Sequence, residues 1–149
     1  MNDALPTIDL TDRESFSHWV QVTIRFSDQD SLGHVNNVAI VAFVESCRTT
    51  LIRRFLDPDR HPDLDYALVN INVDYRAEFH YPGTVDVGGR ILRVGTKSFT
   101  SGYGLFLGDR CVATASSTNV FFDLEKRQGV APPDDVRVKL VAALDNDFV

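Results

Sequence analysis

Between Arg25 and Asn37 the chain reads Arg-Phe-Ser-Asp-Gln-Asp-Ser-Leu-Gly-His-Val-Asn-Asn, the one stretch where carboxylates, an imidazole and side-chain amides crowd together in sequence. A carboxylate set beside the free amides of a helix's first turn offers two things that hydrolysis needs. It can act as base or nucleophile, while the amides stabilise the oxyanion that forms. That helix follows at once. Ile40, Val44, Cys47, Leu51 and Phe55 are spaced four, three, four and four, and Val41, Phe43 and Ile52 widen the apolar stripe, which predicts a well-buried helix. Asn36 or Asn37 is placed to cap it, and the Pro58 region ends it.

The elements that position this loop come from the alternating runs. Trp19, Val20, Val22, Ile24 and Phe26 predict a strand before the loop. After the helix, Val69, Ile71, Val73, Tyr75, Ala77, Phe79 and Tyr81 face Asn70, Asn72, Asp74, Arg76, Glu78 and His80 across one long predicted strand. Pro82-Gly83 signals a turn, and a strand through Val85 to Leu92 slips in phase at Gly88-Gly89, where a bulge or curl is expected. Two more runs, Phe99 to Leu107 and Cys111 to Phe122, complete the set, and a short helix carries Val136, Leu140 and Leu144. One strand, one long helix and four antiparallel strands in series predict an α+β chain, a sheet of about five strands covering one buried helix. Residues 1–17 read as a polar lead-in and 18–149 as a single domain.

Other chemistries fail on spacing. Read as a calcium loop from Asp28, the sequence puts Leu32 at the fifth position and Ala39 at the twelfth, where ligands are required. His18, His34, His61 and His80 form no HxxxH or HExxH pair, so no metal is expected. Neither GxSxG nor GxxxxGK[ST] is present. His34 suits a hydrogen-bonded structural role, and Asp28 is expected to order the turn. Glu45, in mid-helix, could serve as a second acid-base group, but its spacing to Arg48 points to an ion pair.

The 149 residues give a net charge of −6, which opposes general nucleic-acid binding. Hydrophobic residues at 44% and charged residues at 24% are ordinary globular usage. Two cysteines without a CxxC pair, no basic and apolar leader, and no run of about 20 apolar residues point to a cytoplasmic protein with reduced thiols and no membrane segment.

The Asp-x-Asp-x-x-Gly run followed by His-Val-Asn-Asn and a long helix resembles the hot-dog-fold acyl-CoA thioesterases of the 4-hydroxybenzoyl-CoA thioesterase type. The likeness extends over roughly Trp19 to Pro133, through Val69 to Tyr75, Lys97-Ser98-Phe99 and Val120 to Asp123. It implies that Asp30 is the catalytic carboxylate, as general base or nucleophile, and that the backbone amide of Asn37 polarises the thioester oxygen. It also implies an acyl-CoA substrate, no cofactor beyond the CoA of that substrate, and a homodimer or homotetramer paired through sheet edges. Arg90, Arg93, Lys97 and Ser98 are the candidates for holding CoA phosphates. Ile40 stands where many relatives carry an aromatic, a departure that bears on the acyl pocket. Two alternatives stay open: a hot-dog enoyl-CoA hydratase or dehydratase, which relies on a differently spaced His and acid, and a non-catalytic acyl-CoA-binding module.

Overall fold

The structure, a computed structural model, describes residues 8–145. The first seven residues of the expected lead-in and the last four of the chain lie outside them. Strand β1 (His18–Thr23) leads through a one-turn 3-10 helix at Phe26–Asp28 to helix α1 (Asn37–Ile52). Strands β2 (Leu64–Tyr75), β3 (Thr84–Val94), β4 (Ser98–Leu107) and β5 (Arg110–Asp123) follow, then the two-residue β6 (Gln128–Gly129) and helix α2 (Asp134–Asp145). All pairings are antiparallel, in the order β1-β3-β4-β5-β2, with β6 added to β5. β1 and β2 are therefore the lateral edges.

Helix α1 packs against β1, β3 and β4. Its Val44, Cys47 and Leu51 are fully buried in one cluster with Val85, Val87, Ile91, Tyr103 and Leu105 of the sheet. The helix can lie this close because β3 carries Gly89, where a Cβ would come within 2.7 Å of the Cys47 sulfur. Burial alone pushes that thiol up to about 12. A curled antiparallel sheet around one helix is the hot-dog arrangement, as expected.

Three local expectations change. The long strand begins at Leu64 and ends at Tyr75, and a bulge between Leu68 and Asn70 turns Val69 to solvent, 59% exposed. The phase slip in β3 falls between Ile91 and Arg93 instead of at Gly88-Gly89. Those glycines serve close approach, for Phe16 lies where a Gly88 Cβ would come within 2.6 Å of its ring. The described part of the lead-in is thus docked. Phe16 is buried edge-on against Trp19 and Phe106, and Arg13 stacks over the Trp19 ring at 4.5 Å.

Candidate active site

The loop between β1 and α1 is tied at two aspartates. Asp28 is buried, and its carboxylate accepts from the Arg25 backbone N–H at 2.7 Å and from the Arg25 guanidinium at 2.9 Å. Burial pushes this carboxyl up, but the Arg25 hydrogen bonds and charge outweigh it and hold it below the ordinary 3.8. Asp30 is exposed. Its Oδ1 accepts from the backbone N–H groups of Leu32 at 2.9 Å and His34 at 3.1 Å, leaving Oδ2 outside the turn's bonds. Its own N–H donates to the His34 carbonyl at 2.8 Å, and Gly33 closes the turn with φ at 80°, a conformation that favours glycine.

Asn36 caps α1, its side-chain oxygen accepting from the Ala39 N–H at 2.7 Å. Asn37 is the first helical residue, so its N–H belongs to the set that has no carbonyl four residues back within the helix. The helix dipole adds partial positive charge at this end.

A groove of about 230 Å³ opens here. It is lined by Asp30, His34, Asn37 and Ile40 from the loop and helix, and by the run Tyr75 to Phe79 that leaves β2. Bonds to β5 and α1 help hold that run in place. The Arg76 and Ala77 N–H groups both reach the Val112 carbonyl, and the Tyr75 hydroxyl donates to the Asn37 carbonyl at 3.3 Å. A carboxyl group, a helix N-terminus and an apolar wall at Ile40 therefore share one opening, an arrangement suited to addition to a carbonyl.

The fold places Asp30, Asn37 and Ile40 along one groove, and places the phosphate candidates elsewhere. Arg90 is buried in β3, its Nη1 donating to the Ser15 carbonyl at 2.8 Å. Arg93 and Lys97 are exposed and Ser98 is half-buried, and none of these four lines the groove. Glu45 and Arg48 form no ion pair, for Glu45 faces solvent while Arg48 turns inward, 5% exposed. Its Nε and Nη1 have no hydrogen-bond partner among the described residues. His34 makes the polar contact expected of a structural histidine, with Nε2 3.1 Å from the Glu78 carboxylate.

The opposite wall, Tyr75, Arg76 and Glu78, is what reading the sequence missed. Its one sequence signal was the alternation that put Arg76, Glu78 and His80 on a single side of the extended run. A second hollow of about 220 Å³ lies at the other end of α1, among Ile52, Leu56, Pro58, Leu64 and Tyr66.

The model of the thioesterase-like superfamily matches residues 24–140. Among solved structures, the PA5185 protein from Pseudomonas aeruginosa is 32% identical over 89% of this chain and 94% of its own, with a TM-score of 0.77. A predicted thioesterase from Bacillus stearothermophilus is 28% identical, covering 85% of this chain and 95% of its own, also at a TM-score of 0.77. A Staphylococcus aureus protein, SAV2348, described in complex with CoA, shares the fold at a TM-score of 0.79 but only 12% identity, over 87% of this chain and 84% of its own. No curated protein matches in sequence. With the matched span running from the end of β1 to α2, this chain belongs to the thioesterase-like superfamily.

Proposed function

We propose that the protein hydrolyses acyl-CoA thioesters, with the site chemistry of the 4-hydroxybenzoyl-CoA thioesterase type. The observation that carries this is that Asp30 and Asn37 line the same groove. As general base, Asp30 takes a proton from water, the oxygen adds to the thioester carbon, and the carbonyl oxygen takes up negative charge facing the Asn37 N–H. Collapse breaks the C–S bond, and CoA leaves as a thiolate that is then protonated. As nucleophile, Asp30 forms an anhydride that water opens in a second step. Both routes consume one water and release one acid and one thiol.

Family membership supports a thioester substrate, and the Staphylococcus aureus neighbour described in complex with CoA supports CoA as its thiol part. Arg93 and Lys97 are the two open cations of the expected set, with Ser98 beside them, whereas Arg90 is committed to Ser15. The β2 edge carries exposed Leu68, Val69 and Tyr75, and an apolar edge of this kind is satisfied by a second copy. Antiparallel pairing of two β2 strands would set the Tyr75 end of one beside the Leu64 end of the other. The partner subunit's apolar hollow then lies alongside the groove, where an acyl chain can enter it.

The test is thiol release from acyl-CoA esters spanning short to long and aliphatic to aromatic acyl groups. Release of CoA with matching free acid is expected. Consumption of an enoyl-CoA without thiol release would instead show a hydratase, and saturable CoA-ester binding without turnover would show a binding module.

A further inference from the structure

A second cluster of chemistry-bearing side chains sits at the rim of the groove, and the step proposed above uses none of it. The Val35 N–H donates to the Phe79 carbonyl at 2.9 Å, which lays residues 33–35 beside 78–80. Val35 and Phe79 are buried, at 5% and 2% exposure. Alternation along extended backbone therefore sends His34, Glu78 and His80 to the opposite face together. His34 Nε2 lies 3.1 Å from the Glu78 carboxylate, and the two imidazole rings meet edge to face at 5.2 Å. One potential ligand atom from each of the three residues lies within 4.8 Å of the other two.

The tautomer of His80 is fixed by its neighbour. Nδ1 is 2.9 Å from the Gly33 carbonyl, which can only accept, so Nδ1 is the donor of that bond and, in the neutral ring, Nε2 is the nitrogen with a lone pair to offer a metal. A ring nitrogen held by a backbone carbonyl while the other is left free is the outer support that metal-binding histidines use. Glu78 is held as well, its carbonyl accepting from the Arg110 guanidinium at 2.9 Å.

We propose that His34, Glu78 and His80 form a binding site for a divalent transition-metal cation of the zinc type. Two imidazoles and one carboxylate suit zinc rather than magnesium or calcium, which prefer all-oxygen shells. Tetrahedral zinc with bonds of about 2.0–2.2 Å needs ligand atoms about 3.3 Å apart, a contraction within reach of side-chain torsions because Glu78 and His80 are exposed. Three protein ligands leave a fourth position for water. No helical HxxxH spacing announces this set, since two separate segments supply it.

The full chain, stripped of metal with a chelator that is then removed, is titrated with zinc chloride by calorimetry and with cobalt(II) chloride by visible absorption, in the absence of substrate. Saturation at one ion per chain is expected, with cobalt bands of tetrahedral intensity and no competition from magnesium. His34→Ala, His80→Ala and Glu78→Gln should each weaken binding by at least about tenfold, while His61→Ala, which alters a separate histidine paired with Asp135, should not. Absence of saturable binding, or binding that survives both His34→Ala and His80→Ala in variants that keep the parent's circular dichroism, would overturn the assignment. Hydrolysis is not read in this experiment, so its outcome is independent of the thioesterase reading.

Discussion

The Asp28 carboxylate and the Arg25 backbone N–H are 2.7 Å apart inside the loop, with the Arg25 guanidinium closing a second bond on the same carboxylate at 2.9 Å. Two residues on, Asp30 is exposed at the groove. One aspartate fixes the loop, and the other is the carboxylate proposed to face substrate. Asp28→Asn should therefore cost about 2 kcal/mol of stability, since an amide donor would meet the Arg25 donors, and should leave turnover per folded molecule unchanged. Because the folded carboxyl sits below its ordinary 3.8, its contribution is fully present above that pH and is lost as pH falls through the folded value. Urea midpoints across the acid range should decline less steeply in Asp28→Asn. An undiminished acid slope, or lost turnover in a stable variant, would contradict this division.

Proline at Asn37 isolates the backbone donor. Proline is tolerated at the first helical position, and Asn36, at φ −76° and ψ 160°, already has the conformation that a residue before proline requires. Asn37→Pro thus deletes one N–H while keeping the helix, and kcat should fall by about 10²–10³-fold. Asn37→Ala retains the amide and should stay near the parent rate. Equal losses in the two variants would assign the effect to the side chain instead.

His18 supplies a pH prediction away from the site. Its Nδ1 accepts from the Arg54 guanidinium at 3.3 Å, and its Nε2 therefore carries the proton toward the Thr50 hydroxyl at 2.8 Å. Burial, and then the Arg54 charge, hold the imidazole below its ordinary 6.5. The unfolded chain takes up a proton that the folded chain refuses, so stability is complete above 6.5 and declines as pH falls toward the lower folded value. His18→Gln should flatten this decline below pH 6.5, the ordinary value for the imidazole, measured as the shift in urea midpoint. Parallel declines in variant and parent would refute it.

Helix α1 was legible because its signals are local: apolar residues at steps of three and four, and an asparagine one residue before the first turn. The loop was legible for the same reason, its aspartates bonding within a few residues of themselves. What failed was set by distant partners. The bulge that exposes Val69 arises from pairing with Asn119 and Thr118 of β5, and Phe16 is buried because Gly88 leaves it room. Arg48 abandons Glu45 for the interior although their spacing permits a pair. The far wall of the groove belongs to this class too, since Glu78 and His80 meet His34 where Val35 pairs with Phe79, more than forty residues away in sequence.

The proposed role of Asp30 is tested by steady-state hydrolysis by Asp30→Asn beside the parent, on whichever acyl-CoA the parent turns over best. Asparagine keeps an Oδ1 that can accept from Leu32 and His34, so the melting temperature should barely move while kcat falls by about 10²–10⁴-fold. Parent-level turnover in a folded Asp30→Asn protein would contradict the assignment of this carboxylate as base or nucleophile.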